Sequence, residues 1–90
     1  MVRMFARHQV ADYDAWRAVY DSADEVRKKM GCVAQSVYQA TDNPRDITVV
    51  HDFSSLDAAR AFASSSVLKE DMAKAGVIKA PELWFTEAAN

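Results

Sequence analysis

The sequence has little of several residue types, and each shortage excludes a class of protein. Cys32 is its one cysteine, so no internal disulfide can form and a disulfide-stapled secreted mini-protein is excluded. No apolar run approaches the roughly 18 residues that a membrane helix needs. The N-terminus lacks the long apolar stretch and small-residue cleavage site of a signal peptide. We therefore expect a reduced, cytoplasmic protein with no membrane role.

The sequence also lacks a large excess of positive or negative charge, and this limits the classes of molecule that it can attract. Eleven Lys and Arg stand against 13 Asp and Glu, a formal net charge of −2. A chain without a basic excess has no electrostatic attraction to nucleic acid or anionic lipid. Glycine occurs only at 31 and 76, so there is no glycine-rich phosphate loop, and two histidines with one cysteine make a poor zinc site. No nucleic acid, metal or bound cofactor is predicted.

What is present is the composition of one ordinary globular domain. Half of the 90 residues are hydrophobic and 27% are charged, and residues 1–90 fit a single folding unit. A domain this short buries only roughly 60 to 65% of the surface of its unfolded chain. It has little depth for a sealed pocket, which raises the question of a second subunit.

Hydrophobic periodicity divides the first half of the chain into a strand and a helix. Residues 2–10 alternate with a period of two, which predicts a strand. Asp12 can cap a helix whose apolar residues follow at spacings of three and four as one continuous stripe. Gly31 ends that helix. The stripe consists of Trp16, Val19, Tyr20, Ala23, Val26 and Met30.

The second half predicts two strands, a broken helix and a last strand. Residues 33–39 and 46–53 alternate around a turn at residues 41–44, and Ser54 with Asp57 resembles a capping box. A helix containing Phe62 follows, is interrupted at residues 64–66, and resumes as a shorter helix that ends at Gly76. Residues 83–87 form the last strand. The shorter helix carries Val67, Leu68, Met72 and Ala75.

The resulting order, β-α-β-β-α-β, predicts an α+β fold of the ferredoxin-like type, an antiparallel sheet with helices on one face. We expect strands one and three to be parallel neighbours at the sheet centre, joined through right-handed crossovers. In each of these two strands, the set of alternate residues that is more apolar should face the helices. These residues are Val2, Met4, Ala6 and His8 of strand one and Ile47, Val49, His51 and Phe53 of strand three.

This parity predicts a site between the sheet and the helices. His8 and His51 would lie near the same ends of adjacent strands and open into one space beneath the first helix. Trp16, Tyr20 and Phe62 would line it, and an apolar, aromatic lining with a few polar groups suits a small aromatic ligand. The alternative is that both histidines are hydrogen-bonded structural groups and the aromatics plain core.

The opposite face of the sheet is mixed in character. It would carry Phe5 and Val50 among charges of both signs. Arg3 and Arg7 could pair with Asp46 and Asp52 across the sheet or across a subunit boundary. A solvated face with ordinary surface ion pairs is the alternative.

With these segments in place, the chain resembles the dimeric α-β barrel superfamily, particularly its antibiotic biosynthesis monooxygenase-like branch. The resemblance covers nearly the whole chain and rests on residues 10–16 (VADYDAW), 49–59 (VVHDFSSLDAA) and 61–68 (AFASSSVL), with Met72 and residues 75–77 after them. It implies a homodimer whose sheets pack face to face and a pocket between sheet and helices. Phe62 stands where related enzymes carry a helix histidine, so a haem-degrading role loses its iron ligand.

The resemblance implies a cofactor-independent monooxygenase acting on a small phenolic or polyketide-like substrate. His51 or His8 would be the general base, because an imidazole titrates near pH 6.5 and accepts a proton at neutral pH. Trp16, Tyr20, Tyr38 and Phe62 would shape the substrate pocket. A polyketide cyclase or isomerase, and a non-catalytic ligand-binding or structural dimer, are the alternatives.

Overall fold

The strands and helices follow the predicted order, with some boundaries moved. The computed structural model of the chain describes residues 1–74, 76–78 and 81–89, and for Val67 and Asp71 only the backbone. The elements are β1 (Val2–Gln9), α1 (Tyr13–Ser22), α2 (Asp24–Lys29), β2 (Cys32–Ala40), β3 (Asn43–Phe53), α3 (Leu56–Ala63), α4 (Ser66–Lys74) and β4 (Glu82–Glu87).

The four described strands form one sheet in the order β2-β3-β1-β4, and every neighbouring pair is antiparallel. With helices packed on one face, this is the predicted α+β, ferredoxin-like fold. The expectation that strands one and three run parallel is wrong. The short turn between β2 and β3 makes these two strands antiparallel, while the helical crossover leaves β2 parallel to β1. The strand inserted between β1 and β2 is therefore antiparallel to both.

The antiparallel register changes where the two histidines lie. His51 pairs with Met4 and His8 pairs with Ile47. They are thus separated by four residues along the strands, roughly 13 Å at the usual rise per residue. The prediction that His8 and His51 sit near the same ends of adjacent strands is wrong for the same reason.

The face of the sheet that packs against the helices carries the predicted parity. Met4, Ile47 and Phe53 have no exposed surface, and the buried cluster extends from them to Trp16 and Phe62 on the helices. Both histidines are buried on this same side. The apolar alternation of β1 and β3 therefore identified the core face correctly.

The predicted single helix after β1 is two helices. Asp12 caps α1 by accepting a hydrogen bond from the Ala15 amide at 3.0 Å, as predicted. At Ala23 the backbone leaves the helical region, and its amide donates to the Tyr20 carbonyl in a tighter final turn. α2 then runs to Lys29 with Met30 as its C-cap, and Gly31 adopts φ of +98°, the left-handed conformation expected of it.

Hydroxyl side chains set the boundaries of the second helical region. Ser55, one residue after the predicted Ser54, caps α3 by accepting from the Ala58 amide at 3.1 Å. The predicted break falls at Ser64, and Ser65 accepts from the Leu68 amide at the start of α4. Of the apolar residues predicted for this last helix, the Val67 side chain and Ala75 lie outside the described residues.

Cross-strand ion pairs cover part of the opposite sheet face. The Arg3 guanidinium donates to Asp52 at 2.8 Å, and Arg7 donates to Asp46 at 2.7 Å. These are the pairings expected across the sheet.

None of the described helices has the length and apolar character needed to span a bilayer.

Candidate functional site

A cavity of about 50 Å³ lies between the sheet and the helices. The sheet strands β1, β3 and β4 and all four described helices contribute residues to its lining. The lining is mainly apolar, with three residues able to carry a charge. The lining residues that determine its chemistry are His8, Trp16, Tyr20, Arg27, His51 and Phe62.

His51 and Tyr20 form the central polar contact of the cavity. The Tyr20 hydroxyl lies 2.8 Å from His51 Nε2, so β3 and α1 are joined by a buried hydrogen bond. His51 is only 2% exposed, and its Nδ1 has no hydrogen-bond partner among the described residues. Burial, reinforced by the positive charge of Arg27, lowers the pKa of His51 to about 4. Burial raises the pKa of Tyr20 to about 12, so both groups are neutral at pH 7.

Arg27 is the buried cation of the site. It is 4% exposed, and its guanidinium carbon lies 3.7 Å from the centre of the Tyr20 ring, a close cation–π contact. Its Nε donates to Gln35 Oε1 at 2.8 Å, and Gln35 in turn donates to Asp24 Oδ1 at 2.8 Å. Arg27 Nη2 is buried with no hydrogen-bond partner among the described residues.

His8 lies toward the other end of the cavity. Its ring packs on Trp16, with centroids 5.6 Å apart, and neither ring nitrogen has a hydrogen-bond partner in the described part of the chain. Burial lowers the pKa of His8, although the Asp46 carboxylate opposes the shift. Among the described residues, the buried His8 imidazole therefore lacks the hydrogen bonds that the structural alternative assigns to it.

The aromatic residues connect the two histidines. Trp16 stacks on Tyr20 at 4.9 Å, and the Tyr20 and His51 centroids are 6.0 Å apart. Phe62 meets His51 edge to face at 5.4 Å. His8 and His51 therefore contact one row of rings from opposite ends, although they are not neighbours across the strands.

Tyr38 does not belong to this cavity, which corrects one predicted site residue. It is 57% exposed and lines a groove on the opposite sheet face with Arg3, Phe5 and Asp52. The reason is strand parity: Tyr38 pairs with Thr48, which lies on the other parity of β3 from Val49 and His51. The other predicted site residues, His8, Trp16, Tyr20, His51 and Phe62, all line the cavity.

The sequence interpretation missed Arg27 and Gln35. Arg27 follows Tyr20 by seven residues and Ala23 by four, so it lies on the buried stripe of the helical region. Val26, which the sequence assigned to the buried stripe, is instead 36% exposed. The spacing therefore indicated that Arg27 is buried, but a charged residue is not ordinarily assigned to a buried stripe.

The size of the cavity limits what it can hold without rearrangement. A cavity near 150 Å³ is large enough for benzene, about three times the volume present here. Leu68 and Met72 of α4 and Leu83 of β4 are also part of the lining, and Leu83 is partly exposed. Rotation of these unbranched or γ-branched side chains is the least costly way to admit a flat ring, because Met in particular has three rotatable bonds.

The arrangement can polarise and deprotonate a bound ligand. It offers neutral imidazoles that accept protons, a neutral phenol that donates a hydrogen bond, and a fixed cation in apolar surroundings, where electrostatic interactions are stronger than in water. Among the described residues, no three His, Cys, Asp or Glu side chains form a group that could hold a metal ion.

Comparison with known proteins supports the fold. The sequence matches no protein-family model and no curated protein sequence. A candidate antibiotic biosynthesis monooxygenase from Bordetella bronchiseptica superimposes with a TM-score of 0.84 at 16% identity, covering 99% of this chain and 97% of that one. SnoaB, a cofactor-independent oxygenase from Streptomyces nogalater, gives 0.80 at 14% identity, covering 99% and 93%. The resemblance inferred from the sequence is thus confirmed at the level of the fold.

Proposed function

We propose that this protein is a monooxygenase that oxidises a small, flat phenolic substrate bound against the aromatic row, with His51 as the general base. The observation that carries the proposal is the buried His51 imidazole, which hydrogen-bonds Tyr20 through Nε2 and leaves Nδ1 unpaired among the described residues. The similarity in fold to SnoaB, a cofactor-independent oxygenase, supports the reaction class.

The chemistry needs one base and molecular oxygen as the oxidant. His51 takes a proton from an acidic C–H group of the substrate, and the resulting carbanion transfers electrons to dioxygen to form a C–O bond. The O–O bond of the peroxide then breaks. A methylene group thus becomes a carbonyl, and the second oxygen atom leaves as water with the two protons lost from carbon.

The low pKa of His51 sets the size of the expected effect. At pH 7 the imidazole is neutral and able to accept a proton, but its pKa of about 4 makes it a weaker base than one tuned to neutrality. General-base catalysis contributes between about 100- and 10,000-fold, and we expect the lower end of this range here. Tyr20 holds the imidazole in one orientation.

Oxygen uptake with dithranol, an anthrone with phenolic hydroxyls, tests the proposal. We expect the protein to accelerate uptake above the uncatalysed rate and His51→Gln to reduce that acceleration about 100-fold. Tyr38→Phe, on the opposite face, is the matched control and should retain the wild-type rate. If dithranol, which carries the acidic methylene group that the proposed step requires, does not increase uptake, the oxygenase proposal fails.

The same experiment separates the alternatives. Consumption of the substrate without oxygen uptake would indicate a cyclase or isomerase that uses the same base. Saturable binding of the substrate without its consumption would indicate a non-catalytic binding protein.

We further propose that the functional unit is a homodimer formed through the opposite sheet face. Phe5 and Trp84 stack there with centroids 5.2 Å apart and planes within 3° of parallel, yet Trp84 remains 40% exposed. The flanking Arg3–Asp52 and Arg7–Asp46 pairs neutralise the charges of this face. A second copy presenting the same self-complementary surface would cover the apolar rings.

A further inference from the structure

Arg27 carries a charge that is buried in the cavity wall and incompletely paired. We propose that Arg27 binds an anionic oxygen of the ligand, so that the cavity takes an aromatic carboxylate or phenolate in preference to the neutral molecule of the same shape. This inference rests on the cavity being the ligand site, as in the proposed function, but it does not depend on the reaction that follows binding.

The local anions do not satisfy Arg27. Asp24 Oδ1 lies 3.8 Å from Arg27 Nη2, beyond hydrogen-bond distance. That carboxylate already accepts from Gln35 at 2.8 Å and pairs with Lys28 at 3.1 Å. One carboxylate is therefore shared between two cations, and it lies on the solvent side of the site.

The other polar groups around Arg27 cannot supply a negative charge. The pKa of Tyr20 is raised to about 12 by burial, and burial also raises the pKa of the Cys32 thiol. Both remain neutral at pH 7. A buried cation with an unpaired N–H costs free energy, which a ligand oxyanion would recover.

Arg27 is held in place for this role before a ligand arrives. The Gln35 amide accepts from Nε, and the Tyr20 ring lies against the guanidinium plane. Little side-chain freedom remains to be lost on binding, which favours affinity. The guanidinium also keeps N–H groups for a charge-assisted hydrogen bond to an oxyanion.

The rest of the cavity identifies the body of the ligand. Trp16 and Phe62 offer aromatic surfaces, while Leu68, Met72 and Leu83 add apolar groups to the lining. A flat ring suits the aromatic row, and its anionic substituent would lie toward Arg27. The ligand class is therefore a small aromatic anion.

Binding of such an anion would also act on His51. The positive charge of Arg27 is one of the two causes that lower the pKa of His51, burial being the larger. A ligand anion beside Arg27 offsets that charge, so the pKa of His51 should rise when the anion binds. The ligand would thus strengthen the base that acts on it.

Calorimetric titration with two matched pairs of small molecules tests the inference at pH 8. Benzoate against benzamide examines a carboxylate, and 4-nitrophenolate against nitrobenzene examines a phenolate. We expect one or both anions to bind about 10- to 150-fold more tightly than the neutral partner, the value of a hydrogen bond to a charged group. Whichever pair shows the larger preference identifies the type of oxyanion.

Two variants assign the preference to its source. Arg27→Met keeps an unbranched side chain of similar length and should abolish the preference for the anion. Arg17→Gln is the matched control, because Arg17 also approaches the Tyr20 ring, at 5.6 Å, but pairs with Asp21 and has a side chain that is 42% exposed. It should retain the preference.

A measurement on the unmodified protein covers the case in which Arg27→Met does not fold. The Arg27 Nε–H resonance should shift on addition of the preferred anion and remain in place with its neutral partner. Equal affinity for anion and neutral molecule, or a preference that survives Arg27→Met, would overturn the inference. Preferential binding of the anion, combined with no increase in oxygen uptake when dithranol is the substrate, would leave this inference standing and remove the proposed monooxygenase.

Discussion

At the scale of single residues, the distinctive feature is a neutral polar pair beside a fixed cation. Tyr20 and His51 share a hydrogen bond of 2.8 Å, and Arg27 packs on the Tyr20 ring. Burial favours the neutral form of both the phenol and the imidazole. In the unfolded chain these groups are solvated and can ionise at their usual pKa values. The free energy of unfolding must therefore depend on pH.

The free energy of unfolding should fall as the pH is lowered from 7.5 to 5.0. Folding lowers the pKa of His51 from its usual 6.5 to about 4, so the unfolded state binds more protons between these values. His51 alone should reduce the free energy of unfolding by about 2 kcal/mol over this interval, and the pKa of His8 is shifted in the same direction. Urea denaturation at the two pH values measures the difference.

His51→Gln provides the control, because it removes the larger share of this dependence and leaves the part due to His8. The paired carboxylates do not interfere, since their pKa values lie below the usual 3.8 and outside the interval. An unfolding free energy equal at pH 7.5 and 5.0 would contradict the burial of a neutral His51.

Tyr20→Phe should reduce stability by about 1 to 2 kcal/mol, because it leaves the buried His51 Nε2 without its partner. Tyr38→Phe is the matched control: its hydroxyl is on an exposed side chain, and the change should be within about 0.5 kcal/mol. Urea denaturation at pH 7.5 measures both. Equal effects of the two substitutions would mean that the Tyr20 hydroxyl makes no net contribution.

At the scale of elements, the capping residues predicted where α1 begins and predicted the start of α3 to within one residue. Asp12 was identified as the cap of α1 because its side-chain oxygen can accept from the first-turn amides, and it does. Ser54 and Ser55 are both capable of the same bond, and nothing in the local sequence chooses between them. The break at Ala23 was not predicted, since the apolar spacing continues across it.

Ser55→Ala should destabilise the protein by about 1 kcal/mol, the usual cost of removing an N-cap hydroxyl. Ser54→Ala, one residue earlier, should change stability by less than about 0.5 kcal/mol. Thermal or urea denaturation of the pair measures the difference. A larger loss of stability from Ser54→Ala than from Ser55→Ala would mean that Ser54, the residue first predicted from the sequence, is the N-cap.

At the scale of the whole molecule, the two faces of the sheet have different roles. One face, with the helices, encloses the core and the cavity. The other presents the Phe5–Trp84 ring stack between compensated charges, which supports the proposed dimer interface. A domain of 90 residues has little interior to spare, so covering this face would add substantially to its buried apolar area.

Trp84→Lys should convert a dimer into a monomer, because it places a charge beside the Phe5 ring within the proposed interface. Light scattering should give twice the 10.0 kDa chain mass for the wild type and the single mass for the variant. Ile78→Lys, exposed but outside the sheet, should remain dimeric. A wild-type particle of one chain mass at micromolar concentration would refute the dimer.

The sequence by itself determined the order of elements and the core face of β1 and β3, and five of the six predicted site residues line the cavity. These follow from periodicity, which depends only on the near neighbours of each residue. Tertiary structure decided the direction of β3 beside β1, the separation of His8 from His51, and the exclusion of Tyr38, because strand pairing joins residues distant in sequence. It also decided the burial of Arg27: a charged side chain enters a core only where residues from other elements, here Tyr20 and Gln35, surround it.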